Sequence, residues 1–408
     1  MVTGFVTYSK VGERMRKILK NGTVITPIRT EKDSSVIIED GKIIAILPDS
    51  KLQTYESDQI IDVGGRYISP GFIDIHSHGG GGHDFMDGTV EAIVGAATSH
   101  VAYGTTTILP TTVTSTWDEL DAMLEQFAKA QDEMVGGPNI AGVHLEGPYF
   151  SLEQKGAQDP RYIKDPDPRE YERVAEYSHL VKRWTIAPEL PGALEMGRFL
   201  SERGILCSIG HSNAIYEEVV KAVESGYSLV THLFSGMSMV RRINAYRYAG
   251  VVESALLLDD LTVELIADGV HLPKSLLQLT YKVKGPDKIC LVTDSMRGAG
   301  MPEGDSILGS LTDGQRVIIE DGVAKLPDRS AFAGSVCTAD RLIRTMVYTA
   351  DVPLVDAVRM ATLTPAKVLQ LDQQKGKLAP GMDADIAVFD SEIEMYLVMV
   401  GGQVCFQA

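Results

Sequence analysis

Cysteine is scarce in this chain: Cys207, Cys290, Cys337 and Cys405 are the four among 408 residues, with no CxxC spacing. That argues against a disulfide framework and a thiolate metal site, and it suits a reducing cytoplasm with buried, inert thiols. Long apolar runs are missing too. None approaches the roughly 18 residues that would read as a membrane span. The first 20 residues carry Lys10, Arg14, Arg16, Lys17 and Lys20 but no apolar stretch of the kind an export signal needs. The expectation is a cytoplasmic protein without a membrane partner. Nor is there a basic excess, since 38 Lys and Arg stand against 55 Asp and Glu, a formal charge of −17. The electrostatic footprint that grips nucleic acid is therefore lacking. No low-complexity tract or fixed-period repeat is present, and no GxGxxG follows a first strand.

What remains is globular, 44% hydrophobic and 23% charged. The length exceeds the roughly 250–300 residues at which a single core stops growing, so one large unit with a smaller one is expected. The first 70 residues alternate apolar pairs with Asn21-Gly22 and Asp40-Gly41, which are hairpin turn signals, and strands are expected at 24–28, 36–38 and 43–47. The last 30 follow the same pattern, with strands expected at 385–389, 396–400 and 404–406 and a break at Gly401-Gly402. Neither end buries a sheet face alone, so residues 1–69 and 372–408 are expected to pair as one small β-sandwich domain.

Residues 70–371 alternate differently. Eight short apolar, β-branched runs at 72–75, 106–109, 140–145, 184–187, 206–209, 229–231, 263–267 and 289–292 end in polar or glycine residues, with amphipathic stretches such as 117–130 and 216–225 between them. Eight such units predict an α/β fold, a parallel (β/α)8 TIM-like barrel, with a doubly wound open sheet as the alternative. Residues 315–326 predict a hairpin inserted after the eighth strand.

Potential ligands collect at the expected strand ends. His76 and His78 follow the first strand, Glu146 ends the third, and His211, His232, His271 and Asp294 follow the fifth to eighth. The strand ends of one barrel converge on one mouth, and period-2 spacing turns His76 and His78 to the same side. Imidazole and carboxylate donors without thiolates suit one or two divalent ions, zinc first, with iron, manganese, cobalt or nickel as alternatives. A carboxylate closing the apolar strand of Leu291-Val292-Thr293-Asp294-Ser295 needs a metal or a catalytic proton as its partner. His83, His100 and His179 read as ordinary structural histidines.

Pro70-Gly71-Phe72-Ile73-Asp74-Ile75-His76-Ser77-His78 resembles the opening metal motif of the amidohydrolase superfamily. His144-Leu145-Glu146-Gly147-Pro148, Gly210-His211-Ser212-Asn213-Ala214, Thr231-His232-Leu233-Phe234, Ala267-Asp268-Gly269-Val270-His271 and Val292-Thr293-Asp294-Ser295-Met296 resemble, in that order, N-acetylglucosamine-6-phosphate deacetylases. The likeness runs over residues 18–389. It implies that Glu146, His211 and His232 hold the principal metal, that His76 and His78 complete a second site bridged by Glu146, and that Asp294 lies at the metal as general base and then acid. It implies His271 as a stabiliser of the oxyanion, and a homodimer acting on a small amino sugar substrate. A bound divalent ion lowers the pKa of water toward about 7, which suits amide hydrolysis at neutral pH.

The departures from the family fall at substrate positions. Lys155-Gly156-Ala157-Gln158 stands where the family has Lys-Gly-Ala-His, Ser235-Gly236 where it has Asn-Ala, and Arg241-Arg242-Ile243-Asn244-Ala245-Tyr246-Arg247-Tyr248 where its Arg-Glu-Pro-Gly would grip a 6-phosphate from a neighbouring subunit. Arg241, Arg242 or Arg247 is expected to take over that grip, because a guanidinium bonds two phosphate oxygens at once. Ala157, Gln158, Ser235, Gly236, Phe332, Ala333, Gly334 and His271 are the other expected substrate contacts. The leading expectation is deacetylation of N-acetylglucosamine 6-phosphate. The alternatives are another N-acyl amino sugar, of a different epimer or without phosphate, a cyclic amide or N-acyl amino acid hydrolase of the same superfamily, or a non-catalytic regulator that kept the barrel.

Overall fold

A computed structural model describes residues 15–177 and 179–408. The part of the basic N-terminal segment within residues 1–14 lies outside them. Strands from the two ends of the chain form one eight-stranded sheet. They meet where Tyr67–Pro70 runs antiparallel to Ile386–Phe389, with Pro70 opposite Ile386. Alternate residues of these strands, among them Leu19, Val36, Ile68, Ile386 and Leu397, bury into one apolar cluster. Each such side chain contributes about 1.5–3 kcal/mol relative to exposure, so neither end is expected to keep its strands without the other.

Asp40-Gly41 turns as expected, with φ of 50° and 77° between the strands Thr30–Glu39 and Lys42–Pro48. Asn21-Gly22 does not. It lies inside the single strand Arg16–Ile25 as an irregularity in register. That strand also pairs in parallel with Gln59–Asp62 and Tyr67–Pro70, and these ladders outweigh the local turn signal. A Cβ at Gly22 would stand 2.5 Å from Ile68 Cδ1, so the glycine serves packing here.

The central parallel strands are Phe72–Ser77, Thr105–Pro110, Val143–Glu146 with its short lead-in Asn139–Ile140, Val181–Ile186, Leu206–Ile209, Tyr227–Val230, Thr262–Leu265 and Ile289–Leu291. Hydrogen bonding groups them as a three-stranded and a six-stranded sheet, every pairing parallel. Single parallel bridges join the two sheets, Thr111 to His144 and Ser77 to Ser295. The C-terminal ends of the strands therefore share one side. Helices lie between the strands, and Trp117–Glu133 starts from a capping box in which Thr116 and Glu119 each satisfy the other's backbone N–H. The insertion after the eighth strand has a third strand, Gly304–Leu308, before Gln315–Glu320 and Val323–Lys325. Among the described residues no helix is long and apolar enough to cross a membrane.

Candidate metal and catalytic site

Glu146 ends the third strand, 2% exposed, and faces four histidines. Its Oε1 lies 3.1 Å from His232 Nε2, 3.3 Å from His211 Nε2 and 3.6 Å from His76 Nε2, and its Oε2 lies 3.4 Å from His78 Nε2. Asp294 Oδ1 stands 3.1 Å from His78 Nε2 and 3.4 Å from His76 Nε2. Burial alone would raise the Asp294 carboxyl, but His76 and His78 outweigh it and bring the group down to about 2. Glu146 is likewise held well below the usual range, against its burial, by the surrounding imidazoles.

The rings are aimed by partners behind them. His76 Nδ1 meets Glu264 Oε2 at 3.1 Å, and His211 Nδ1 meets the carbonyl of Gln154 at 2.9 Å. A carbonyl and an ionised carboxylate only accept, so each Nδ1 carries a proton and each Nε2 is aimed at Glu146 Oε1. A proton or a metal cation between each Nε2 and the carboxylate oxygen, at 3.3 and 3.6 Å, satisfies this arrangement. Two donor groups are close enough to share an ion, His76 with His78 and Glu146, and Glu146 with His211 and His232. Buried nitrogens without a hydrogen-bond partner, His76 Nε2 among them, agree with this fit.

Three residues of the site adopt left-handed backbone: His211 (φ 48°), His232 (φ 30°) and Asp294 (φ 47°). Close packing sustains them. A Cβ on Gly236 would come within 2.9 Å of His211 Nδ1, Asp294 N–H donates to His76 O at 2.8 Å, and Ser335 N–H donates to Asp294 O at 2.7 Å. His271 Nδ1 is paired with Asp268 Oδ2 at 2.8 Å, and its ring lies against Phe332, centroids 4.6 Å apart.

These groups open into a cavity of about 320 Å³. Of the expected substrate contacts, Ala157, Gln158, Ser235, Gly236, His271, Phe332 and Gly334 line it. Ala333 does not, being fully buried in the core of the insertion. Arg242 and Arg247 do not line it either. They face each other across the exposed hairpin of Arg241–Ile243 and Tyr246–Tyr248, while Arg241 turns back to bond Asn213. Strand pairing commits the segment to an outlying hairpin, away from the cavity of its own chain.

Sequence reasoning misses Arg183 and Glu264, a fully buried ion pair. Arg183 also donates to Ser208 Oγ and Thr231 Oγ1 at 2.8 Å each. The signal that could have found them is a charged residue in mid-strand, in Val181–Ile186 and in Thr262–Leu265, where only a partner inside the sheet could satisfy it. His144, to which the motif alone gives no role, is buried between Thr111 Oγ1 and Thr185 Oγ1, and desolvation followed by Arg183 keeps its pKa well below the usual value. His100 is structural as expected, bonded to Gly79 O at 3.1 Å and pushed down to about 4 by burial.

The sequence profile of the amidohydrolase family matches residues 67–405. The chain belongs to the amidohydrolase family. Within that family it is 34% identical to the N-acetylglucosamine-6-phosphate deacetylase of Lysinibacillus sphaericus, over 96% of this chain and 98% of that one. It is 30% identical to the N-acetylgalactosamine-6-phosphate deacetylase of Escherichia coli O157:H7, over 95% and 99%. Among solved amidohydrolase structures, the N-acetylglucosamine-6-phosphate deacetylase of Pasteurella multocida superposes with a TM-score of 0.88 at 28% identity, covering 96% of this chain and 99% of that one.

Proposed function

We propose that this chain hydrolyses the acetamide of an N-acetylhexosamine 6-phosphate, N-acetylglucosamine 6-phosphate first, releasing acetate and the free amine. The observation that carries the reading is the convergence of imidazole nitrogens on Glu146 Oε1 beside Asp294, at the wall of a cavity of sugar size. Glu146, His211 and His232 would hold one divalent ion, and His76 and His78 with Glu146 a second; zinc suits such nitrogen and oxygen donors. A divalent ion here would supply a Lewis acid that acidifies water and polarises a carbonyl oxygen.

Asp294 takes the proton of the attacking water. The new C–O bond forms as the carbonyl becomes an oxyanion, and an N–H at His271 Nε2 would donate to that oxygen while Asp268 holds the ring at Nδ1. The C–N bond then breaks as Asp294 returns the proton to the amine nitrogen. The wall formed by Ala157, Gln158, Ser235 and Gly236 orients the sugar.

Because Gln158, Ser235 and Gly236 replace the family's usual residues, and a relative of similar identity is named for the galactosamine epimer, that epimer is the second reading. We further propose a homodimer in which the exposed hairpin carries Arg242 and Arg247 to the partner's cavity, supported by Met239, Val240 and Tyr246, exposed at 58%, 56% and 73%. The two parallel sheets are read as one closed (β/α)8 barrel over residues 70–371, with 1–69 and 372–408 as a β-sandwich, and four free cysteines support a cytoplasmic setting.

The test is acetate release by zinc-loaded protein from the 6-phosphates of N-acetylglucosamine and N-acetylgalactosamine and from the unphosphorylated sugars. Fast turnover of one phosphate supports the reading and names the epimer. Equal slow rates on all four, or none, would overturn it.

A further inference from the structure

Gln158 departs from the family pattern at a position expected to touch the sugar, yet both ends of its amide are engaged within the protein. Its Oε1 accepts the Thr114 N–H at 2.9 Å, and its Nε2 donates to Glu146 Oε2 at 2.7 Å. Because the Thr114 partner is a donor, the amide has only one orientation, and an N–H must point at Glu146. The side chain is 6% exposed, and its own N–H is tied to Lys155 O at 2.9 Å. The bond is therefore fixed by its surroundings.

The two oxygens of Glu146 are unequal in consequence. Oε1 faces His211, His232 and, at 3.6 Å, His76, while Oε2 faces His78 and alone carries the Gln158 amide. A donor on a carboxylate oxygen takes up one of its lone-pair directions and withdraws charge, so the oxygen becomes a poorer ligand. We propose that Gln158 is a positioning residue that holds Glu146 Oε2 and biases the paired site toward the ion of Glu146, His211 and His232 over that of His76 and His78. The proposal rests on Glu146 being the ligand shared by the two groups. It gives the chain a metal preference that its ligand set alone, with the first-strand histidine pair intact, would not suggest.

The experiment is calorimetric titration of the metal-free full-length chain with zinc, checked by elemental analysis after desalting, for the wild type, Gln158→Leu and Gln158→Glu. Leucine removes both amide bonds at similar size. Glutamate keeps an acceptor for Thr114 and replaces the donor at Glu146 by another carboxylate, so it reports even where leucine fails to fold. The wild type is expected to take one tight equivalent and a second about tenfold or more weaker. In the variants the second is expected to tighten relative to the first, whereas loss of a group that merely supports the ligands would weaken metal binding by about 10–100-fold. Folded variants that titrate as the wild type does, or that weaken both equivalents alike as a packing defect would, overturn the proposal, as does a wild type with two equal sites. A wild type that binds no zinc overturns the shared-ligand reading itself, a distinguishable failure.

Discussion

Glu264 Oε2 accepts the Nδ1 proton of His76 at 3.1 Å inside the sheet, both side chains fully buried. The same carboxylate pairs with Arg183 and accepts the His232 N–H at 3.0 Å, so one buried charge aims the ring of one candidate ligand, anchors the backbone of another and neutralises a guanidinium. Glu264→Ala leaves Arg183 unpaired, and breaking a buried pair in this way costs about 3–5 kcal/mol. The expected outcome is that loss of stability in urea unfolding, with metal affinity down about 10–100-fold in titration.

Acid should reveal the same residue. Burial would raise the Glu264 carboxyl, but Arg183 and then His76 outweigh it and hold the group at about 2, against an ordinary 4.5. A carboxyl depressed in the folded state contributes stability that is fully present above its unfolded pKa and lost as pH falls toward the folded one. The stability gap between wild type and Glu264→Gln should therefore be constant from pH 7 to about 5 and shrink between about 4.5 and 2. Urea midpoints across that range are the measurement, and a gap that widens on acidification would contradict the assignment.

Asp294→Asn keeps the size of the side chain and removes the proton acceptor. Turnover should fall by at least about 10²–10⁴-fold, the range for positioned acid–base groups, while elemental analysis still finds metal. Retained turnover would remove Asp294 from the proton path.

Gly236→Ala places a methyl 2.9 Å from His211 Nδ1 and 3.0 Å from Gln154 O, at a φ of 56°. The ring must shift from Gln154, so zinc affinity should drop about tenfold or more with little change in overall secondary structure. Zinc titration beside circular dichroism checks this.

For the hairpin, Arg242→Ala and Arg247→Ala should raise KM for a 6-phosphate and leave the rate on the unphosphorylated sugar unchanged. Mixing either arginine variant with Asp294→Asn should restore activity if the arginine acts across subunits. Absence of recovery in mixtures that do exchange subunits would confine the arginine to its own chain.

The eight central strands are legible in the sequence because each is a short apolar run with its polar residues at one end, and the ligands are legible because they sit at those ends. The Arg183 and Glu264 pair is not. A lone charge within an apolar strand has meaning only beside its counterpart, which lies 81 residues away in sequence. Asn21-Gly22 misleads for a related reason: its turn signal is local, whereas the pairing of Arg16–Ile25 with three other strands is not. Residue type alone points Arg242 and Arg247 at a phosphate, while the antiparallel register that takes them to the exterior depends on the backbone at Asn244 and Ala245, with φ of 47° and 71°.

The left-handed conformations of His211, His232 and Asp294 carry an evolutionary corollary. Non-glycine residues in such backbone cost of order 1–3 kcal/mol each, so under the proposed function these positions trade fold stability for chemistry. Were selection for catalysis relaxed, glycine would be a favoured replacement at all three. A descendant chain with the same sheets and a higher melting temperature, but glycine in place of its ligands, would be the fossil of this enzyme.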